Sequence, residues 1–312
     1  MFFLPVERLV FTVVVALGVI DAALIALKGV SIDLLGCNVL ILTGGFSVAL
    51  GQYYRLQQRD PGIALAATAA GLFVLFTIAG SIFNYMFLPI HFAPIDDLLV
   101  RVDAAFGYHW PEVVGLAARY PWVGTAFYWI YATSLPQMAG IILLLGFSRQ
   151  ARMLHHFLLT GVIGALLAIG VWIFFPTFGA KSLYTLPQSV LDAIPLAVDP
   201  AYGVELLRLG RDGVEHLSPA NVLGLIGFPS FHIIMACMSV CFVTHQRLVF
   251  IPLAVLNALM LPAVLVQGGH HLSDVFGGVA VFGLAFWLAG QVVRQLSEPA
   301  VPWPRPFIAP AV

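Results

Sequence analysis

Eight apolar runs limit what this chain can fold into. They occupy residues 9–28, 33–51, 62–89, 123–147, 156–175, 229–246, 248–266 and 272–293. About 20 helical residues cross a hydrocarbon layer about 30 Å thick, so runs of this length read as spans. Inside lipid every backbone N–H and C=O needs a partner from the protein itself, which leaves helices and closed barrels. None of the runs alternates apolar and polar residues as a barrel strand must. The chain is therefore expected to be all-α, a polytopic transmembrane helical bundle of about eight spans. Composition agrees: 61% of residues are hydrophobic and 9% charged, whereas soluble domains carry about 25% charged residues.

The same numbers exclude other classes. A net charge of −1 offers no basic field for nucleic acid. Cys37, Cys237 and Cys241 all fall inside apolar runs, so no disulfide framework is implied. The first run is too long for a signal-peptide core and reads as a retained span.

Lys and Arg set the expected orientation, because they collect in short cytoplasmic connections. With eight spans both termini share a side. Arg8, Arg55, Arg59, Arg149, Arg152, Arg247, Arg294 and Arg305 fall there, and the three compact connections "YYRLQQRDPG", "SRQARM" and "HQR" all carry arginine. Lys28, Arg101, Arg119, Lys181, Arg208 and Arg211 fall on the other side. Both termini are expected in the cytoplasm, with the protein in the plasma (inner) membrane. Residues 1–150 read as N-terminal spans with an outer segment, 151–296 as the spans that carry the motifs, and 297–312 as a proline-rich cytoplasmic tail, all in one membrane domain. In the outer segment, Ile95, Leu98, Leu99, Val102 and Phe106 are spaced as one face of an amphipathic helix lying on the membrane surface. Residues 176–228 form the longest stretch between spans, a length that usually serves function.

Two polar stretches sit where apolar runs begin. "FPSFH", residues 228–232, opens the sixth run, and "QGGHHLSDVFGG", residues 267–278, opens the eighth. Pro229 and Ser230 suit a helix start on their own account. His270 and Asp274 are four apart and share a helical face. His232 and His270 are 38 residues apart, one span in, a short turn and one span out, so both return to the same face. Both lie near helix N-termini, where backbone N–H groups favour an anion such as phosphate. A histidine held by a carboxylate is oriented as a nucleophile, the role that fits His270 with Asp274. A second histidine can protonate a leaving oxygen, the role that fits His232. Ser230 and a nearby cation can hold the phosphoryl oxygens. Lys181, Arg208 and Arg211 are the cations available on that face. His271, three residues before Asp274, is a competing partner for it.

"FPSFH" followed by "GGHHLSD" resembles the type-2 phosphatidic acid phosphatase superfamily. Pro229, Ser230 and His232 match its second signature, Pro-Ser-Gly-His, with Phe231 in place of glycine; His270 and Asp274 match the end of its third. The branch it looks most like is that of inositol phosphorylceramide synthase, the inositolphosphotransferases. The resemblance runs over roughly 156–293 and implies a six-helix core, a phosphohistidine at His270, Asp274 as its orienting partner and His232 as the acid. It implies no metal or other cofactor. The Ser-Arg that opens the third signature is here Ala263 and Val264, and the Arg-Pro that ends the first is Gln188 and Ser189. The expected function is a lipid phosphatase or phosphotransferase acting on a lipid phosphate or phospholipid at the outer face. The alternatives are a lipid-binding or transport protein with a degenerate site, and a metal site built on His232, His270 and His271.

Overall fold

All eight apolar runs become helical, but they differ in length for a physical reason. The computed structural model describes residues 2–296; the proline-rich tail at 297–312 lies outside the described residues. In chain order the helices are α1 (Pro5–Lys28), α2 (Leu34–Leu56), α3 (Pro61–Tyr85), α4 (Asp96–Ala105), α5 (Trp110–Ala118), α6 (Pro121–Ala132), α7 (Ser134–Phe147), α8 (Ala151–Phe174), α9 (Gln188–Ala193), α10 (Pro200–Asp212), α11 (Phe231–Cys241), α12 (Arg247–Gln267) and α13 (Leu272–Leu296). Two short strands, β1 (Ser31–Ile32) and β2 (His216–Leu217), pair in parallel.

Six helices, α1, α2, α3, α8, α12 and α13, are long and apolar enough to cross a membrane, and the α6–α7 pair makes a seventh if its 44° bend is counted within one span. The expected eight therefore become six or seven among the described residues. The run 229–246 accounts for one, and the bent run 123–147 for the other where six are counted. In the first of these runs helix α11 has 11 residues, and the polar residues Thr244, His245 and Gln246 follow in turn conformation or without regular structure. Eleven residues rise about 17 Å, short of a full crossing.

The α6–α7 bend occurs where side chains can satisfy the carbonyls it frees. The Thr133 hydroxyl donates to the Ile130 carbonyl at 2.6 Å, and the Ser134 hydroxyl to the Tyr131 carbonyl at 3.1 Å. Gln137 donates to Thr133 Oγ1 at 2.8 Å and accepts from Asn257 of α12 at 2.7 Å.

The connections sort to two ends. At one end Ser31 N–H donates to the Glu215 carbonyl, Ile90 N–H to Gly210, Ile95 N–H to Pro176 and Lys28 Nζ to Leu88. This end gathers the long stretches on either side of α4–α5 and α9–α10. At the other end Arg55 makes a two-pronged pair with Glu7 at 2.6 and 2.7 Å, and Arg149 pairs with Asp60 at 3.0 Å. The arginine-bearing compact connections thus lie opposite the long ones.

α4 forms where its spacing predicts a helix, and it carries an exposed apolar face and a buried acidic one. Leu98, Val102 and Phe106 are exposed, while Asp96 and Asp103 are buried with Leu99. Buried carboxylates need donors, and those donors belong to the site.

Candidate active site

Three chain segments converge at the end that holds the long connections. His232 lies in the first turn of α11, His270 in the turn between α12 and α13, and Asp274 in the first turn of α13. The imidazoles of His232 and His270 face each other with ring centroids 6.4 Å apart. His270 Nδ1 lies 2.8 Å from Asp274 Oδ2; the tautomer that donates from Nδ1 to this carboxylate leaves the Nε2 lone pair free. The same carboxylate oxygen accepts the His271 backbone N–H at 2.9 Å, and Asp274 is fully buried. His232 is stacked on Tyr131, with centroids 4.1 Å apart and planes 20° apart. Tyr131 lies in the last turn of α6, just before the bend.

Lys181 enters from the turn after α8. Its Nζ donates to the Gly268 carbonyl at 3.0 Å and lies 4.9 Å from the centre of the Tyr202 ring. Burial lowers Lys181 to about 8, against the opposing pull of Asp274 and Asp96. The turns at 179–181 and 268–270 interlock. Gly179 has φ +79°, and a Cβ there would sit 2.6 Å from the Gly269 carbonyl oxygen. Gly269 has φ +62°, and a Cβ there would sit 2.6 Å from Lys181 Cβ. Both positions need glycine for conformation and for space.

Behind His270 lies a second buried cluster. His271 Nε2 is 3.3 Å from Asp96 Oδ1, and its Nδ1 is 3.3 Å from Asp103 Oδ2. Asp96 also accepts the backbone N–H of Phe178 and Gly179 at 3.0–3.2 Å. Asp103 accepts the N–H of Leu272 and Ser273 and the Ser273 hydroxyl at 2.6–3.0 Å. Burial opposes the charge on His271, but the bonds to Asp103 and Asp96 outweigh it and raise the imidazole to about 9. Burial pushes Asp103 up, and its bonds from His271, Ser273 and Leu272 outweigh that and hold it below the usual carboxylate range.

The remaining expected residues divide. Ser230 is fully buried, its N–H donates to the Asp274 carbonyl at 3.0 Å, and its hydroxyl has no hydrogen-bond partner. Arg208 pairs with Glu205 and Arg211 with Asp212, both on the exposed surface of α10, and neither lines the cavity described below. The structure does not bring these two arginines to the histidines: each already has a carboxylate neighbour in its own helix. Ala263 and Val264 are fully buried in an apolar cluster with Ile233, Met260 and Val275, so neither position supplies a cation. The N-terminus of α13 is not open to an anion either, because Asp103 already takes its first N–H groups. The start of α11 has no side-chain cap, so its first-turn N–H groups stay available. Among the described residues no group of three or more His, Cys, Asp or Glu is arranged to hold a metal ion. Both ring nitrogens of His271 face carboxylates.

A cavity of about 450 Å³ opens from this cluster into the bundle. Lys181, His232, His270, Tyr131 and Tyr202 line its polar end. It continues between α3, α8 and α11 past Leu72, Phe76, Leu158, Val162 and Met235, and reaches Val10 of α1. A charged end and a mostly apolar remainder, broken by Thr77, Ser81 and Asn84, match an amphiphile with a charged head.

Sequence reasoning missed Asp96, Asp103 and Tyr131. The two aspartates are seven residues apart, two helical turns, and so lie on one face of a predicted helix; that spacing was the available signal. Tyr131 gave none, because its contact with His232 is 101 residues away in sequence.

A family model described as the PAP2 superfamily matches residues 97–288, more than half of the chain, and begins well ahead of the two histidine motifs. No curated protein and no solved structure matches.

Proposed function

The chain belongs to the PAP2 superfamily, and we propose that it is a membrane-embedded phosphatase or phosphotransferase that works on a lipid phosphate through a phosphohistidine at His270. Membership supports a phosphatase-type function. The observation that carries the finer reading is the His270–Asp274 pair at 2.8 Å facing His232, at one end of a mostly apolar cavity.

The chemistry follows from the atoms. With Nδ1–H held by Asp274, the Nε2 lone pair of His270 attacks phosphorus, and the bond from phosphorus to the lipid oxygen breaks. His232, carrying a proton brought in with the anionic phosphate, gives it to that oxygen, which leaves as an alcohol. Asp274 stabilises the positive charge that the His270 ring acquires. His232, now neutral, takes a proton from the acceptor hydroxyl, whose oxygen attacks phosphorus as the N–P bond breaks. Water as acceptor gives hydrolysis; a sugar or lipid alcohol gives transfer. Lys181 and the first-turn N–H groups of α11 stand where charge grows on the phosphoryl oxygens. The apolar cavity takes the acyl or prenyl chain. The "FPSFH" and "GGHHLSD" motifs favour the inositolphosphotransferase-like branch, and the arginine distribution favours a site on the non-cytoplasmic face of the plasma membrane.

Purified protein given a panel of lipid phosphates and phospholipids, with released phosphate and transferred product followed together, tests the reading. Turnover that disappears in His270→Ala is expected. Tight lipid binding with no turnover on any substrate would instead favour a lipid-binding protein.

A further inference from the structure

Every donor and acceptor around His271 belongs to a segment that the catalytic groups depend on, yet His271 does not line the cavity. Its two ring nitrogens both face carboxylate oxygens at 3.3 Å, Asp96 on one side and Asp103 on the other. A neutral imidazole has one donor and one acceptor nitrogen, so it would set a lone pair against one of the two carboxylates. Two donors are needed, and the ring is an imidazolium. It is 1% exposed, and the side chains of Asp96 and Asp103 are 5% and 3% exposed. A cation so buried costs free energy unless paired, and here it is paired twice.

We propose that the Asp96–His271–Asp103 cluster is a positioning device that sets the attack geometry of His270 and the place of Lys181 together. Asp96 ties the ring to the backbone of Phe178 and Gly179, two or three residues before Lys181. Asp103 ties it to the first N–H groups of α13, the turn that carries Asp274. The His271 backbone N–H goes to Asp274 itself, and the Tyr108 hydroxyl donates to the His270 carbonyl at 3.0 Å from the same side. In the irregular link between α12 and α13, one histidine faces the cavity while its neighbour anchors the link to α4. The imidazolium has a second effect. Without it Asp96 and Asp103 would put two more buried negative charges beside a pocket built for phosphate, and these would oppose the anion.

The inference rests on the phosphohistidine reading, so its test must separate the two. Full-length wild type, His271→Gln and Asp103→Asn are purified and compared for kcat, KM and inhibition by orthovanadate, a probe that mimics five-coordinate phosphorus. A misplaced nucleophile weakens the transition state more than substrate binding. Both variants should lose about 10- to 100-fold in kcat, keep KM within about threefold, and bind vanadate weaker by a factor close to the kcat loss. A variant that merely folds poorly would show fewer active molecules but an unchanged vanadate affinity, and that result would overturn the proposal, as would wild-type kcat in both variants. Wild-type protein that neither turns over nor binds vanadate would overturn the phosphohistidine reading, and the positioning role with it.

Discussion

At the residue scale, His232 and His270 are both imidazoles at one site, but only His270 is held by a carboxylate. Their loss should therefore be unequal. His270→Ala removes the covalent step, and turnover should vanish on every substrate. His232→Ala removes the proton donor, and an aryl phosphate, whose leaving oxygen needs little protonation, should restore activity by about 10²-fold or more relative to an alkyl lipid phosphate. Equal behaviour of the two variants in a paired assay would contradict the assignment. Lys181 makes a second prediction. Burial lowers it to about 8, so it is charged below that pH and loses its charge above. Measured as kcat/KM, which reports the free enzyme, activity should hold up to about pH 8 and then fall, and in Lys181→Arg the fall should move to higher pH. An unchanged alkaline limb in that variant would remove Lys181 from phosphate binding. The motif residues were readable because spacing of four on a helix and a one-span return are local facts. The loss of Arg208 and Arg211 from the site was not readable: each sits within three residues of an acid, but only the fold shows that the pair points away.

At the element scale, lengths of apolar runs located the helices well and counted the spans less well. α11 stops at Cys241 although apolar residues continue to Val243, and hydropathy alone does not see where a backbone stops being helical. α4 shows the opposite case. Its apolar spacing predicted the helix, while its buried face was set by the need of two carboxylates for donors that lie far away in sequence. The α2–α3 pair illustrates how closely such helices approach. A Cβ at Gly71 would sit 2.5 Å from the Gly44 carbonyl oxygen and 2.6 Å from the Val48 nitrogen, both backbone atoms that cannot rotate away. Gly71→Ala should force the two helices apart and cost about 1–3 kcal/mol. A thermal unfolding midpoint equal to that of wild type in the same detergent would show that the pair yields without cost.

At the scale of the whole molecule, the site and the arginine-rich turns lie at opposite ends of the bundle. The orientation can be read by labelling. With Cys37, Cys237 and Cys241 replaced, a cysteine at the exposed Arg211 should react with a membrane-impermeant maleimide added from the non-cytoplasmic side, and one at the exposed Arg59 should not; the reverse pattern would invert the protein. On the proposed reading, the cavity that runs from His270 as far as Val10 would take the lipid tail and leave the phosphorus between two imidazoles. The most direct measurement is to trap that phosphorus on the protein. Enzyme carrying His232→Ala, quenched during turnover of a radiolabelled aryl or lipid phosphate, should hold label that is stable to alkali, released by acid and located at His270, and His232→Ala with His270→Ala should hold none. Turnover by the wild-type enzyme with no label trapped at His270, or label that persists without it, would contradict the phosphohistidine account.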